Sequence, residues 1–409
     1  MTEPLLVQKY GGTSLATAAR IRRAARRVAG ARATGQRLVV VVSAMGETTD
    51  RLLRLATQIH RQPPARELDA LLATGEAVTA PLLALALETE GVPAVSLTGL
   101  QAGIRTGPHH RRARIVDVAP RRIVAELEAG RVVVVAGFQG VVADTLDTTT
   151  LGRGGSDTTA VALAAALQAV RCEIYTDVRG VYTADPRVEP RARLLREIGY
   201  EEMLELAAVG AAVMHPRAVE IGAAHNVPIW VRSSFHPRDR GTLICREPKL
   251  ETRQKVRGIA HQAAVAKVTV VRVPDRPGIA AAIFTPLAEA GVNVDTIVQN
   301  VSHEGLTDVS FTVSLSDIDA VEALLPAVVA RVGAVGFVAD RNIAKVSIVG
   351  TGVLGTPGVA ARMFQALADA GINIEMIATS EIRITATIPA GAVETAVRAL
   401  HQAYRLERL

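Results

Sequence analysis

The chain has 409 residues, 49% hydrophobic and 21% charged, which suits two or three globular domains with sizeable cores and excludes a disordered polymer. Its formal net charge is +6 with only 3% aromatic residues, so no stacking platform for single-stranded nucleic acid is expected and a small anion is the natural partner of the basic balance. Two cysteines (Cys172 and Cys245) outside any CxxC pair, a start lacking a signal-peptide pattern, and no apolar run near the ~20 residues of a membrane helix lead to the expectation of a cytoplasmic protein with no membrane partner.

In chain order, residues 5–10, 37–44, 93–97, 131–138, 172–178 and 228–234 read as buried strands, and Ala/Leu-rich helical stretches separate them. Continuous apolar strands alternating with helices predict an α/β fold with a mainly parallel sheet sandwiched by helices. The arginine-rich run at 19–30 has helical spacing, with Arg22, Arg23, Arg26 and Arg27 opposite Ile21, Ala24, Ala25 and Val28, and predicts a solvated helix face. Nearly every Gly/Ser/Thr/Asp-rich loop (GGTS, SAMGETTD, GFQG, TDVRGVYTADPR) follows a strand, which gathers the polar groups at the strands' carboxyl edge, where such sheets bind ligands.

Residues 246–262 are polar, lack apolar periodicity and read as a linker. Beyond it, 274–300 repeats at 354–380 with a constant offset of 80, the identical pairs being Pro277/Pro357, Gly278/Gly358, Phe284/Phe364, Leu287/Leu367, Gly291/Gly371 and Asn293/Asn373. The expected organisation is a domain over 1–245, the linker, and two small α/β modules over 263–337 and 338–409, with the linker strand able to interleave with them.

Lysine occurs only at 9, 249, 255, 267 and 345, so Lys9 stands alone in an otherwise arginine-based amino-terminal half. It precedes Gly11 and Gly12, whose bare backbone can approach a phosphate closely; a plain structural turn is the competing reading. Gly152, Gly154 and Gly155 form a flexible loop, after which Ser156 or Asp157 caps a helix. Arg153 within that loop is a candidate carboxylate clamp, because a guanidinium pairs bidentately with a carboxylate. Ser43 and Thr48 lie in another post-strand loop. Glu76 interrupts an apolar helix and needs either an arginine partner or a ligand ammonium. His109 and His110 have no partner at metal spacing and read as surface loop, and no metal site is expected.

Taken in order, KYGG, SAMGETTD, LTGLQAGIRT, GFQG, GRGGSDTTA, YTDVRGVYTADPR and MHPRAVE resemble the aspartate kinases of the amino-acid kinase family, and the repeat resembles their tandem ACT domains, read here as two βαββαβ modules. The resemblance implies transfer of the γ-phosphoryl of ATP to the β-carboxylate of L-aspartate, the first step of lysine, threonine and methionine biosynthesis. It implies ATP and Mg²⁺, the metal held mainly by the nucleotide phosphates. Lys9, Gly11, Gly12 and Ser43 would meet the phosphates, and Thr176, Asp177, Tyr182 and Arg187 would line the nucleotide pocket. Thr48, Glu76, Arg153, Gly154, Gly155 and Ser156 would hold the amino acid, with Asp157 orienting the lysine charge.

The resemblance further implies effector sites, with lysine and/or threonine as ligands, at Asp275, Asn293, Asp295 and Gln299 in the first copy and Asn373, Ile374, Ser380 and Glu381 in the second. Asn293 and Asn373 alternatively serve only left-handed turn geometry. A homodimer or higher oligomer through the ACT modules is expected. One departure stands out: the family usually reads GAKVLHPR where this chain has GAAVMHPR, so Ala212 replaces a lysine that helps neutralise the transferring group. A specialised paralogue acting on another amino-acid carboxylate, or a weakly active amino-acid-binding subunit, are the competing readings. Arg217 is a candidate substitute cation.

Overall fold

The computed structural model describes residues 3–210, 213–246, 255–300 and 305–409. They divide into two compact units. The first holds the chain up to Tyr182, Leu194–Ala208 and the stretch through Cys245; the second holds Thr183–Arg193 and the chain from Lys255 to Leu409. The segment Thr183–Arg193 was expected inside the first domain and instead clusters with the second.

The first unit begins β1 (Leu5–Tyr10), α1 (Ala18–Ala33), β2 (Arg37–Val42), α2 (Thr48–Ile59), α3 (Ala65–Leu72), α4 (Thr74–Thr89) and β3 (Ala94–Leu97). It continues β4 (Ile104–Thr106), β5 (Ile115–Val118), α5 (Arg121–Glu128), β6 (Val132–Ala136), β7 (Gln139–Val142), β8 (Thr148–Thr150), α6 (Gly155–Ala166) and β9 (Arg171–Thr176). It ends with β10 (Glu197–Gly199), α7 (Tyr200–Ala208), α8 (Pro216–His225), β11 (Ile229–Ser233) and β12 (Thr242–Cys245).

Eight strands form one sheet in the order β10-β12-β11-β9-β1-β2-β6-β3. From β11 to β3 all neighbours are parallel, and β12 turns antiparallel to β11. The valine runs of β2 and β6 are buried on both faces, as the continuous apolar pattern requires. A second sheet, β5-β4-β7-β8, has strands of only three or four residues. Together α3 and α4 make a stretch long and apolar enough to cross a membrane by composition, contrary to the expectation; half of it is buried in the unit, with Leu83 and Leu87 in the sheet's core.

The second unit consists of β13 (Gly258–Pro274), α9 (Ile279–Glu289), β14 (Val294–Gln299), β15 (Leu306–Ser314), α10 (Ile318–Val332), β16 (Gly336–Val349), α11 (Val359–Asp369), β17 (Met376–Ser380), β18 (Arg383–Pro389) and α12 (Val393–Ala403). Its six-stranded sheet has the order β14-β15-β13-β16-β18-β17. The repeat is visible directly, since α9 and α11 begin 80 residues apart and each follows a left-handed glycine, Gly278 (φ 89°) or Gly358 (φ 87°). Left-handed geometry after each helix falls on Gly291 and Gly371; Asn293 and Asn373 have ordinary φ, so they are not needed for it.

One boundary needs correction here. Residues 258–262 are strand, not linker, and they pair antiparallel with residues 345–349 of β16. The linker strand thus interleaves with the modules as expected: the start of β13 supplies the strand that follows α12 in the second βαββαβ module.

The sequence "AKV" recurs at 266–268 and 344–346, and its lysines join the copies reciprocally. Lys267 pairs with Glu375, and Lys345 pairs with Asp295, two acids that are themselves 80 residues apart. Lys345 also donates to Thr296 Oγ1 (2.9 Å) and Thr312 Oγ1 (2.7 Å). The pair is lopsided, because the Lys345 side chain is 2% exposed and that of Asp295 54%. Burial pulls the Lys345 pKa down while Asp295 holds it up. Asp295→Asn should therefore lower Tm more than Lys345→Met. The first strands a buried ammonium, at a cost on the order of 1–3 kcal/mol, and the second leaves a solvated carboxylate. Equal losses in thermal unfolding would sink this view of the seam.

Candidate active site

Alternation along β1 sends Lys9 and Tyr10 to opposite faces. Tyr10 stacks on Tyr175 of β9 (centroids 4.8 Å apart, planes at 8°), in the core beneath α1. Lys9 faces α6, and its Nζ lies 2.6 Å from Asp157 Oδ1, with both side chains nearly buried. Ser156 and Asp157 do not cap α6; the N-cap is Gly154, in left-handed geometry (φ 68°) with no side-chain cap bond. Both acid and serine fall in the first turn, which frees the Asp157 carboxylate for the lysine.

The turn after β1 is shaped by a contact at Gly12 that only glycine permits, for a Cβ there would sit 2.8 Å from the Ala44 carbonyl oxygen; one on Gly11 would sit 3.5 Å from Lys9 Nζ, in ordinary contact. The Ser43–Gly46 loop is bound to this turn by Ser43 N–H to Tyr10 O (3.1 Å) and Gly46 N–H to Gly12 O (3.0 Å). Helix α4 presses on the same loop, for a Cβ on Gly75 would meet Ala44 Cβ at 2.8 Å and Thr48 Cγ2 at 3.7 Å. Thr48 donates its hydroxyl to Met45 O (2.6 Å) at the start of α2.

Glu76 is 3% exposed. Its Oε1 accepts the Ala44 N–H at 3.0 Å, while Oε2 is buried without a hydrogen-bond partner. Among the described residues no arginine pairs with it. Burial pushes its pKa up to about 7, against the lowering effects of the backbone bonds and the nearby charge of Lys9.

Arg153 is exposed at the tip of the loop between β8 and α6. A Cβ on Gly155 would meet Leu151 and Phe138 at 2.9 Å, and one on Gly154 would meet His215 at 2.3 Å. Arg217 is not a spare cation. Its guanidinium donates to Leu151 O (2.7 Å) and Ala113 O (2.8 Å), and burial lowers its pKa. Ala212 lies outside the described residues.

On the nucleotide side, Thr176 donates to Asp177 Oδ1 (3.1 Å) beyond β9, and Tyr182 bridges to Leu194. Arg187 falls in the second unit, where Asp185 holds its guanidinium. The two expected effector sets lie about opposite edge strands, β14 and β17. Asp275, Asn293, Gln299, Asn373 and Glu381 are exposed, Ile374 and Ser380 are half-buried, and Asp295 is engaged by Lys345.

Sequence reasoning missed Asp69. It is fully buried in α3 and accepts bonds from His110 Nδ1 (3.0 Å), Arg111 N–H (2.9 Å), Thr150 N–H (3.0 Å) and Thr150 Oγ1. His110 is thereby part of a buried network rather than a free surface residue. An acid on the apolar face of α3, between Leu68 and Leu72, was the available signal.

A glycine turn beside a lysine–aspartate pair, at the carboxyl edge of a parallel sheet, is a setting suited to an anionic ligand. The model of the amino acid kinase family matches residues 4–233, and ACT domain models match 267–332 and 346–404. An aspartokinase of Pseudomonas aeruginosa is 52% identical over 98% of both chains, and one of Corynebacterium glutamicum is 49% identical over 98% of this chain and 96% of its own. The crystal structure of Escherichia coli aspartokinase III in complex with aspartate and ADP is 28% identical with a TM-score of 0.82, over 98% of this chain and 99% of that one. Its complex with lysine and aspartate is 26% identical with a TM-score of 0.76, over 97% and 99%. The chain belongs to the aspartokinases of the amino-acid kinase family, with ACT domains following the kinase region. It is an enzyme of that family, an aspartate kinase whose phosphoryl acceptor is a carboxyl group.

Proposed function

We propose that the chain transfers the γ-phosphoryl of ATP to the β-carboxylate of L-aspartate, opening the route to lysine, threonine and methionine. The observation that carries this reading is the arrangement about Lys9: an ammonium paired with Asp157 and set beside the backbone of Gly11, at the carboxyl end of β1. The acceptor carboxylate is already ionised at neutral pH, so no general base is needed. The protein's work is positioning and charge neutralisation. Lys9 neutralises the moving phosphoryl, Asp157 holds Lys9 in place, and the Gly11–Gly12 backbone and Ser43 meet the phosphates. Glu76 Oε2, buried and unpartnered, takes the substrate ammonium; Arg153 takes its α-carboxylate; Thr48, Gly154, Gly155 and Ser156 complete that side. Thr176, Asp177 and Tyr182 line the nucleotide base and ribose side.

Mg²⁺ is held mainly by the nucleotide phosphates and reduces their charge when bound. Among the described residues no three His, Cys, Asp or Glu side chains group as a metal site. The ACT modules bind lysine and/or threonine and pair chains into a homodimer or higher oligomer, shifting a two-state balance by binding the inactive state more tightly. The complexes of Escherichia coli aspartokinase III with aspartate and ADP, and with lysine and aspartate, support aspartate as substrate and lysine as effector. A cytoplasmic location completes the reading.

A hydroxamate assay of the purified chain with ATP, Mg²⁺ and each acidic amino acid tests it. Acyl phosphate formed with L-aspartate, and suppressed by lysine or threonine, is expected. Acyl phosphate from another amino acid only, or none at all, would favour a specialised paralogue or a binding subunit.

A further inference from the structure

The loop that carries Arg153 is stitched at its base, and the stitches converge on one buried carboxylate in a neighbouring helix. Asp69 has no solvent exposure, yet it keeps a charged side chain in an apolar helix face. Four donors from two distant segments satisfy it. Thr150 gives its N–H (3.0 Å) and hydroxyl, Arg111 gives its N–H (2.9 Å), and His110 gives Nδ1–H (3.0 Å), since a carboxylate only accepts.

Thr150 is the last residue of β8, three before Arg153. The backbone from Thr150 to Gly152 is held at several points. Ala113 N–H donates to Thr150 O (3.0 Å), Leu151 N–H to Phe138 O (2.9 Å), and Gly155 N–H to Gly152 O (3.0 Å). Arg217 fastens Leu151 O and Ala113 O together from the other side. Gly152 (φ 81°) packs against Arg111, since a Cβ there would meet the Arg111 carbonyl oxygen at 2.9 Å. Arg153 itself is exposed, so its own contacts do not fix where it stands. The groups that do are behind it.

We propose that Asp69 is a positioning residue for substrate recognition: by fixing Thr150 and Arg111 it sets the Gly152–Gly155 loop before the amino acid arrives, so that Arg153 meets the carboxylate without first being ordered. The proposal rests on the reading of Arg153 as the carboxylate clamp. A pre-set loop lowers the cost of binding, and a misplaced one shows as a binding defect. Asp69→Asn keeps the shape but removes the charge and one accepting oxygen, so that an N–H₂ must face either Thr150 Oγ1 or the N–H groups of Thr150 and Arg111. A residue that only stabilised the fold would lower Tm and active fraction and would leave both KM values alone.

The test uses the full chain and measures kcat, both KM values and Tm for Asp69→Asn, Arg153→Ala and the double variant. Asp69→Asn is expected to raise the KM for L-aspartate about tenfold or more while kcat and the KM for ATP move less than about threefold. In the Arg153→Ala background the same change should add less than about threefold, because the two act through one contact. An unchanged aspartate KM in folded Asp69→Asn, equal rises in both KM values, or fully multiplicative effects in the double variant would each overturn the proposal. Should Asp69→Asn fail to fold, Thr150→Val, which removes only the hydroxyl donor, carries the test: a rise in aspartate KM alone supports the proposal and no rise overturns it. An Arg153→Ala enzyme with normal aspartate KM would overturn the clamp reading itself, and the proposal with it.

Discussion

Lys9→Met is expected to lower kcat by roughly 10²–10³, and Lys9→Arg is expected to recover less than about a tenth of the parent rate. The second half of that expectation separates charge from place. Lys9 Nζ lies 2.6 Å from Asp157 and 3.5 Å from the position a Gly11 Cβ would take. That space admits a compact ammonium on a thin stem. A planar guanidinium keeps the charge and directs its donors in a fixed fork, so it cannot reproduce the point contact. Lys9→Met also leaves the nearly buried Asp157 without its counter-charge, which costs stability on the order of 3 kcal/mol. The double variant Lys9→Met/Asp157→Asn should regain most of that loss in Tm and none of the activity. Recovery of activity in the double variant, or in Lys9→Arg, would show that Lys9 serves the fold rather than the phosphoryl group.

The pattern that made Lys9 visible is local: a lone lysine, two glycines and the end of a strand, all within four residues. The same holds for the valine runs of β2 and β6, whose composition is dictated by burial on both faces, and for the repeat, where Gly278 and Gly358 must start a helix from a left-handed residue. What the sequence hid depends on partners far along the chain. The strand at 258–262 looks like linker because it is short and polar, and it becomes a strand only through residues 345–349. The small sheet β5-β4-β7-β8 is built from segments too short for any period to declare itself. Asp69 finds its donors 41, 42 and 81 residues away, so nothing near it in sequence announces a network. Thr183–Arg193 reads as the tail of a nucleotide-binding motif, and only its packing assigns it to the second unit. Arg187 was carried along with it for the same reason.

Glu76→Gln is expected to raise the KM for L-aspartate at least about thirtyfold at pH 8, roughly 2 kcal/mol of lost binding, with the KM for ATP little changed. The carboxylate is 3% exposed, one oxygen satisfied by Ala44 N–H and the other unpartnered, which suits an arriving ammonium and nothing else nearby. The pH dependence follows from its burial. With the pKa raised from 4.5 to about 7 by burial, the group is half protonated near neutrality. Only the carboxylate attracts an ammonium, so the aspartate KM of the parent chain should fall as pH rises from about 6 to about 8, and the glutamine variant should lose that limb. Stability runs the other way. The folded chain holds this proton more tightly than the unfolded one, so between pH 4.5 and about 7 stability is lost as pH rises. At about 1.36 kcal/mol per pH unit the full loss is about 3 kcal/mol, and it is complete above the folded pKa. Glu76→Gln escapes that cost. Its Tm at pH 8 should therefore exceed the parent's, by less than the full amount because the new amide N–H₂ is left without a partner. A variant that binds aspartate worse and melts higher is the signature of a charge kept for its ligand at the expense of the fold. A flat KM–pH profile in the parent, or a lower Tm in the variant, would mean that another group already neutralises Glu76.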